Sequence, residues 1–398
     1  MESELSEQSA LSFSFLTLLS GLTAMGQFAT SVYLPSLPSI GREFSAPVPM
    51  VQLTLLVYLL CFAVFQIIFG PLTDRFGRKP ILYVGIITFL AGSILSYASP
   101  TLALLILGRA VQGIGGSATI VVGRAVTRDT HSGMALAQAL LIITIVFSAA
   151  PGLAPLLGGF LEVSFGWRST FLASSILAIL LLCCVIIFLR ETHLQRPSNL
   201  TLKSIWELYK PLWQSWRFMV YIGASSFAMG GLYVFFSGGP QLFIHDLHVS
   251  PAEYGLYPSF TVLGFVAGGI AARKLIMDYG AERLSFIGLV MMLVGASLML
   301  AFPLSGIVNP FAYNGCMFVF VAGLGITLSL SIAEALRDFP ERAGAASALA
   351  GFLQMLGASL GTALFGRLAH IPIFAVPIAM LTMSLCGLLF FVTLSRKI

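Results

Sequence analysis

The chain has 398 residues, 58% of them hydrophobic and 9% charged, with a formal net charge of +5 and a mean hydropathy of +0.95. A water-soluble globular domain cannot keep that much apolar surface in solution. The composition therefore excludes a soluble enzyme or binding module and points to an integral membrane protein.

The opening residues, MESELSEQSALS, are polar and acidic where a secretory signal would be basic, and they lead into what reads as an uncleaved first span. Stretches long enough to cross roughly 30 Å of hydrocarbon as helices are predicted at 12–37, 50–70, 80–97, 101–123, 134–160, 168–190, 215–243, 252–272, 284–303, 311–335, 344–368 and 372–394. Helices follow because backbone groups in lipid must be satisfied within their own segment, and the alternating pattern of a barrel is absent. The longest polar interruption, 191–214, divides the twelve spans six and six. The expected fold is all-α, with two six-helix bundles at 1–190 and 215–398 joined by that linker.

With a cytoplasmic N-terminus, the inside segments hold 17 of the 21 lysines and arginines, leaving Arg42, Arg168 and Arg367 outside and Arg109 within the membrane. Both termini are expected inside. The net charge follows from this bias and gives no reason to expect nucleic acid.

In span one, TAMGQFATS (23–31) sets Thr23, Gln27 and Ser31 on one helical stripe. After span two, GPLTDRFGRKP (70–80) packs Asp74, Arg75, Arg78 and Lys79 into a short loop of a charge-poor chain. Gly70 allows close helix approach, Gly77 a tight turn, and Asp74 can accept from a helix N-terminus or an arginine. Such a cluster suits a latch between the two halves. A positive-inside stop signal explains the charges but not their order.

Span four carries LGRAVQGIGG (107–116), with Arg109 in mid-membrane. An arginine there costs at least about 2.5–3.5 kcal/mol on insertion scales, so it should face the bundle interior or a water-filled cavity. Arg109, Gln112, Gly113 and Gly116 share one helix face. The alternative is snorkelling to the outer surface. None of the 16 acidic residues lies in the middle third of a predicted span, so no carboxylate is offered to Arg109. Oxygens of Thr23, Gln27 and Ser31 are the expected acceptors. The uncompensated charge makes an anionic substrate attractive; a structural Arg–Gln network without substrate contact is the competing reading.

PGLAPLLGGF (151–160) in span five removes two backbone donors at Pro151 and Pro155 and thins one face at Gly152, Gly158 and Gly159. This suits a bend that seals or opens the outer half of a pathway, although packing alone also explains it. In the second half, ARKLIMDYGAER (272–283) loosely echoes the first charged loop, as expected of two related halves with a site between them. Glu334, near the inner end of span ten, is the candidate for carrying a coupling proton, against a simple pair with Arg337 one turn on. Tyr33, Tyr58, Tyr233 and Asn314, with Gln52, Gln138, Tyr257 and Gln354, are further candidates to line a cavity for an amphipathic molecule. The five cysteines lie in predicted spans without metal-ligand spacing, and the histidines stand at loops or span ends. There is no nucleophile–base set, metal cluster or phosphate loop, so neither catalysis, metal nor cofactor is expected.

The loop GPLTDRFGRKP resembles the cytoplasmic signature between spans two and three of the major facilitator superfamily. LGRAVQGIGG resembles the arginine motif of its fourth span. PGLAPLLGGF resembles the antiporter motif of its fifth, with Ala154 where the wider superfamily prefers glycine. With YLPSLP (33–38), FGWRSTF (165–171) and FPERAGAASAL (339–349), the set is similar to the bicyclomycin-resistance (Bcr/CflA) drug exporters. The resemblance implies the major facilitator fold, a bacterial inner membrane, alternating access, and export of a small molecule against a coupling proton. It also implies an aspartate just before the YLP run, where this chain has Ser31. The overall resemblance favours multidrug export, and the missing acid favours a dedicated exporter of an anionic or zwitterionic metabolite such as a carboxylate siderophore. An uptake carrier and a receptor on a transporter scaffold come after these. The expected partners are the substrate, the proton and the lipid bilayer, with the chain working as a monomer.

Overall fold

The structure, a computed structural model, describes residues 2–193, 202–339 and 342–395. Its first half contains α1 (Glu2–Ser31), α2 (Leu37–Glu43), α3 (Val48–Phe76), α4 (Arg78–Tyr97), α5 (Leu102–Thr130), α6 (Gly133–Phe165) and α7 (Arg168–Phe188). Helix α8 (Leu202–Gln214) lies in the linker. The second half contains α9 (Trp216–Pro240), α10 (Pro251–Tyr254), α11 (Tyr257–Leu304), α12 (Pro310–Leu336), α13 (Ala343–Leu368) and α14 (Ala375–Ser395).

Among the described residues, eleven stretches are long and apolar enough to cross a membrane, and one of them, Pro251–Leu304, is 54 residues long. That stretch breaks at Gly280, whose φ of 74° and ψ of 163° interrupt α11 and yield the two crossings that complete twelve. The loop expected at 272–283 is therefore reduced to one non-helical residue; Arg273, Lys274 and Arg283 are helical. Glycine alone turns the chain there without steric penalty. The first helix also ends six residues earlier than expected. Helix α1 stops at Ser31, and a 3-10 turn at Leu34–Ser36 follows, with Pro35 and Pro38 disfavouring a continued helix.

Glycines set how closely the helices approach. On α5, a Cβ at Gly113 would stand 2.5 Å from the Tyr58 carbonyl oxygen of α3, while Gly108 and Gly115 admit α4 on another side. Backbones in van der Waals contact are how membrane helices associate without a hydrophobic drive between them. The two halves meet where α3 packs on α13 and α6 packs on α10 and α11. Arg75, Lys79, Arg128 and Arg217 gather at one end of the bundle, the basic end, and Arg42 and Arg168 stand at the opposite end.

Candidate functional site

Arg109 is entirely buried inside the first half, which rules out snorkelling. Its guanidinium carbon lies 4.2 Å from the ring centroids of both Tyr33 and Tyr58, with Phe171 at 5.9 Å. Nη1 donates to the Ala29 carbonyl at 3.2 Å and to Gln112 Oε1, and Nε donates to the Thr54 carbonyl at 3.4 Å. Nη2 has no partner among the described residues. Gln112 in turn donates to Ser93 Oγ at 2.8 Å, and Tyr58 donates to the Gly26 carbonyl at 2.9 Å.

The expected acceptors on α1 are corrected by this geometry. Thr23 turns back to the Ser20 carbonyl at 3.0 Å, Gln27 points to α9, and Ser31 is buried without accepting from Arg109. The end of α1 does the work instead. Because the helix stops at Ser31, the Ala29 carbonyl has no partner four residues on, and the negative end of the helix dipole favours a cation. Two desolvated ring faces, each worth up to about 2 kcal/mol or more, complete the compensation that a carboxylate would otherwise supply.

A separate cavity lies between the halves. Its wall includes Gln27, Phe147, Met229, Tyr233, Phe236 and Phe265, with no acidic or basic residue, and it encloses about 60 Å³. Tyr233 donates to Gln27 Oε1 at 2.9 Å, a hydrogen bond from α9 to α1 that joins the halves across it. Of the nine residues expected to contact substrate, Gln27 and Tyr233 line this cavity; Arg109, Gln112, Thr23, Ser31, Tyr33, Tyr58 and Asn314 do not. Sequence reasoning missed Phe147, Met229, Phe236 and Phe265, because apolar residues in apolar spans carry no signal of their own.

Of the fifth-span residues, Gly152, Pro155 and Gly159 stand where α6 meets the second half, away from the basic end, while Gly158 packs on Val32 of the first half. A Cβ at Gly158 would collide with the Val32 carbonyl, at Gly159 with the Pro251 carbonyl, and at Gly152 with the Val262 side chain. The Pro155 carbonyl lies 2.6 Å from where a Cβ at Gly255 would be, and Pro151 borders the cavity. Ser259 donates to the Gly152 carbonyl at 3.0 Å, and Gln52 donates to the Ser237 carbonyl at 2.9 Å. These contacts join the two halves at the end opposite the basic one. Helix α6 remains continuous across both prolines.

At the basic end, Arg78 binds Asp74 at 2.5 Å and Asp129 at 2.8 Å, and Thr192 donates to Asp129 at 3.0 Å. Gly77 makes the expected turn with φ 97°. Glu191 accepts from the backbone N–H groups of Arg78 at 2.9 Å and Lys79 at 3.2 Å, capping α4. Burial alone would raise its carboxyl, but backbone N–H groups of His193, Arg78, Lys79 and Thr192 hold it below the ordinary value. Among the described residues the ion pairs of this network stay within the first half, and Asp74, Arg78, Arg128 and Asp129 line a cleft shared with Arg342, Gly344 and Ala345 of the second half. Arg75 instead lies over the Phe76 ring, and Gly70 meets nothing closer than the Tyr209 hydroxyl at 3.6 Å, so no tight helix approach depends on it. Asp129 and Glu191 were missed in the sequence; their signal was a charge at each helix end facing this loop. Glu334 pairs chiefly with Arg217 of α9, at 2.5 Å, while Arg337 stands 3.6 Å away.

The sequence pattern of the Major Facilitator Superfamily matches residues 18–362. A bicyclomycin resistance protein homolog of Haemophilus influenzae is 29% identical over 358 residues, which cover 89% of each chain. Multidrug resistance protein D of Escherichia coli is 26% identical over 348 residues, 87% of this chain and 86% of that one. Among solved structures, a D-xylose-proton symporter matches with a TM-score of 0.74 at 16% identity, over 94% of this chain and 97% of that one, a likeness of fold alone. A family pattern running from the first span to the eleventh, on a twelve-crossing bundle with a cavity between its halves, makes the chain a multi-pass membrane transporter of the Major Facilitator Superfamily.

Proposed function

We propose that the protein exports small amphipathic organic compounds across a bacterial inner membrane, by alternating access between the halves 1–190 and 215–398, with the basic end cytoplasmic and the chain acting as a monomer. The observation that carries this reading is the wall of this cavity between the halves, which is mostly apolar and aromatic, with the Gln27–Tyr233 pair, Ser148 and Thr261 as its polar groups. Such a wall suits a neutral or lipophilic guest. At about 60 Å³ it is far smaller than the roughly 300–1,000 Å³ of ligand sites, so the halves must separate to admit one. The antiporter-like motif of α6 and the names of the relatives favour export; the fold is shared with a sugar symporter and does not choose a direction.

Within this reading Arg109 is a structural cation and Glu334 is the proton carrier, released from Arg217 when protonated. The test is efflux of a panel of lipophilic antibiotics and dyes from cells with matched membrane levels of wild type, Gln27→Leu and Tyr233→Phe. A changed order of substrate preference in the variants supports the reading. Transport of the whole panel unchanged by both variants defeats it. A second reading, export of one anionic metabolite, draws on the unpartnered Nη2 of Arg109. It predicts that an anionic compound leaves the medium and accumulates inside Arg109→Ala cells in untargeted mass spectrometry.

A further inference from the structure

Helix α8 joins the halves, and its placement fixes its depth. Helix α3 has 29 residues, about 43 Å at 1.5 Å per residue, close to the roughly 40–45 Å of a whole bilayer with headgroups. Ile67 lies nine residues before its end at Phe76, about 13 Å inward from the basic tip. The Tyr209 hydroxyl of α8 donates to the Ile67 carbonyl at 3.4 Å, so it reaches about 6 Å past the headgroup layer into the hydrocarbon. The helix that carries it is one tyrosine length away, at the level of the headgroups.

The two flanks of α8 differ. Tyr209 and Leu212 are buried against Ile67 of α3 and Ala345, Ala346 and Leu349 of α13, covering the seam between the halves. Trp206 and Trp213 are 59% and 39% exposed, seven residues apart and therefore on one stripe, with Lys210 and Glu207 exposed beside them. Only Ser215 separates α8 from α9, which enters the membrane at Trp216. Exposed tryptophans at this depth match an interfacial helix, and Arg75, Lys79, Arg128 and Arg217 gathered at the same end favour an anionic leaflet as its surface.

We propose that α8 is a strap that docks on the anionic leaflet at the basic end through Trp206, Trp213 and Lys210, and thereby holds α3 against α13. Opening the pathway at that end requires the strap to shift, which makes the leaflet part of the gate.

The full-length protein is placed in vesicles of phosphatidylglycerol and phosphatidylethanolamine, or of phosphatidylcholine, containing acyl-brominated lipid. Wild type is compared with Trp206→Phe and Trp213→Phe, so that the emission lost in each variant reports one position. In anionic vesicles that emission is expected to be quenched by brominated chains about twofold more than by aqueous acrylamide. Lys210→Glu should raise acrylamide quenching of the same emission about twofold in anionic vesicles and leave it unchanged in neutral ones. Emission quenched by acrylamide but not by brominated lipid places the flank in the cytosol and overturns the proposal. Emission quenched by neither means that protein covers it, which overturns the proposal as well. A Lys210→Glu effect that ignores lipid charge rejects the anionic leaflet as the partner.

Discussion

Replacing Arg109 by glutamine tests whether the buried guanidinium holds the first half together or serves the substrate. The change removes two ring contacts at 4.2 Å, each worth about 2 kcal/mol when desolvated, and charged hydrogen bonds worth about 1.5–3 kcal/mol each. Glutamine regains one hydrogen bond, and loss of the buried charge recovers at least about 2.5–3.5 kcal/mol. The net destabilisation is on the order of 4 kcal/mol. For a half of this size that corresponds to a fall in melting temperature of roughly 10 °C. Thermal unfolding of the detergent-purified protein, followed by tryptophan fluorescence, measures it. Arg109→Lys should fall between glutamine and wild type, since it keeps a charge but loses the planar fork that fits between two rings. A glutamine variant that melts with the wild type yet transports nothing would falsify the structural assignment and return Arg109 to the substrate.

At the opposite end, Gly159→Val pushes a branched side chain into the Pro251 carbonyl of the second half. It is expected to abolish transport at unchanged membrane level and to speed thiol labelling of Ser148→Cys from that side; labelling at the wild-type rate counts against the seal. Glu191 titrates below its ordinary value of 4.5 because α4 backbone donors favour its charged form. The stability it contributes is therefore complete above about pH 4.5 and is lost as the pH falls through its lowered folded value. Glu191→Gln should flatten the acid limb of a melting-temperature profile, and an unaltered limb excludes the cap. Glu334→Gln should keep substrate binding by tryptophan quenching but end substrate-driven proton release in a pH-dye assay; persistent proton release removes Glu334 from coupling.

The membrane class, the number of crossings and the basic end were legible in the chain itself. Length and hydropathy act locally, and a stretch of 20 apolar residues has few ways to satisfy its backbone in lipid. Glycine patterns were legible for the same reason: Gly113, Gly152 and Gly158 announced thin helix faces that the structure fills with Tyr58, Val262 and Val32. What those faces would meet was not legible, because the partners come from spans distant in sequence.

Arg109 shows the difference most clearly. Its burial, its shared face with Gln112 and its lack of a carboxylate were determined by sequence alone. The identity of its acceptors was decided by tertiary structure, since it depends on α1 ending at Ser31 and presenting a free carbonyl at Ala29. The cavity belongs to the same class. Gln27 and Tyr233, 206 positions apart, become a bonded pair only when the halves close on each other, and the phenylalanines around them look like any others in an apolar span. Local chemistry writes the helices into the chain; which helix faces which depends on packing between segments that no local pattern records.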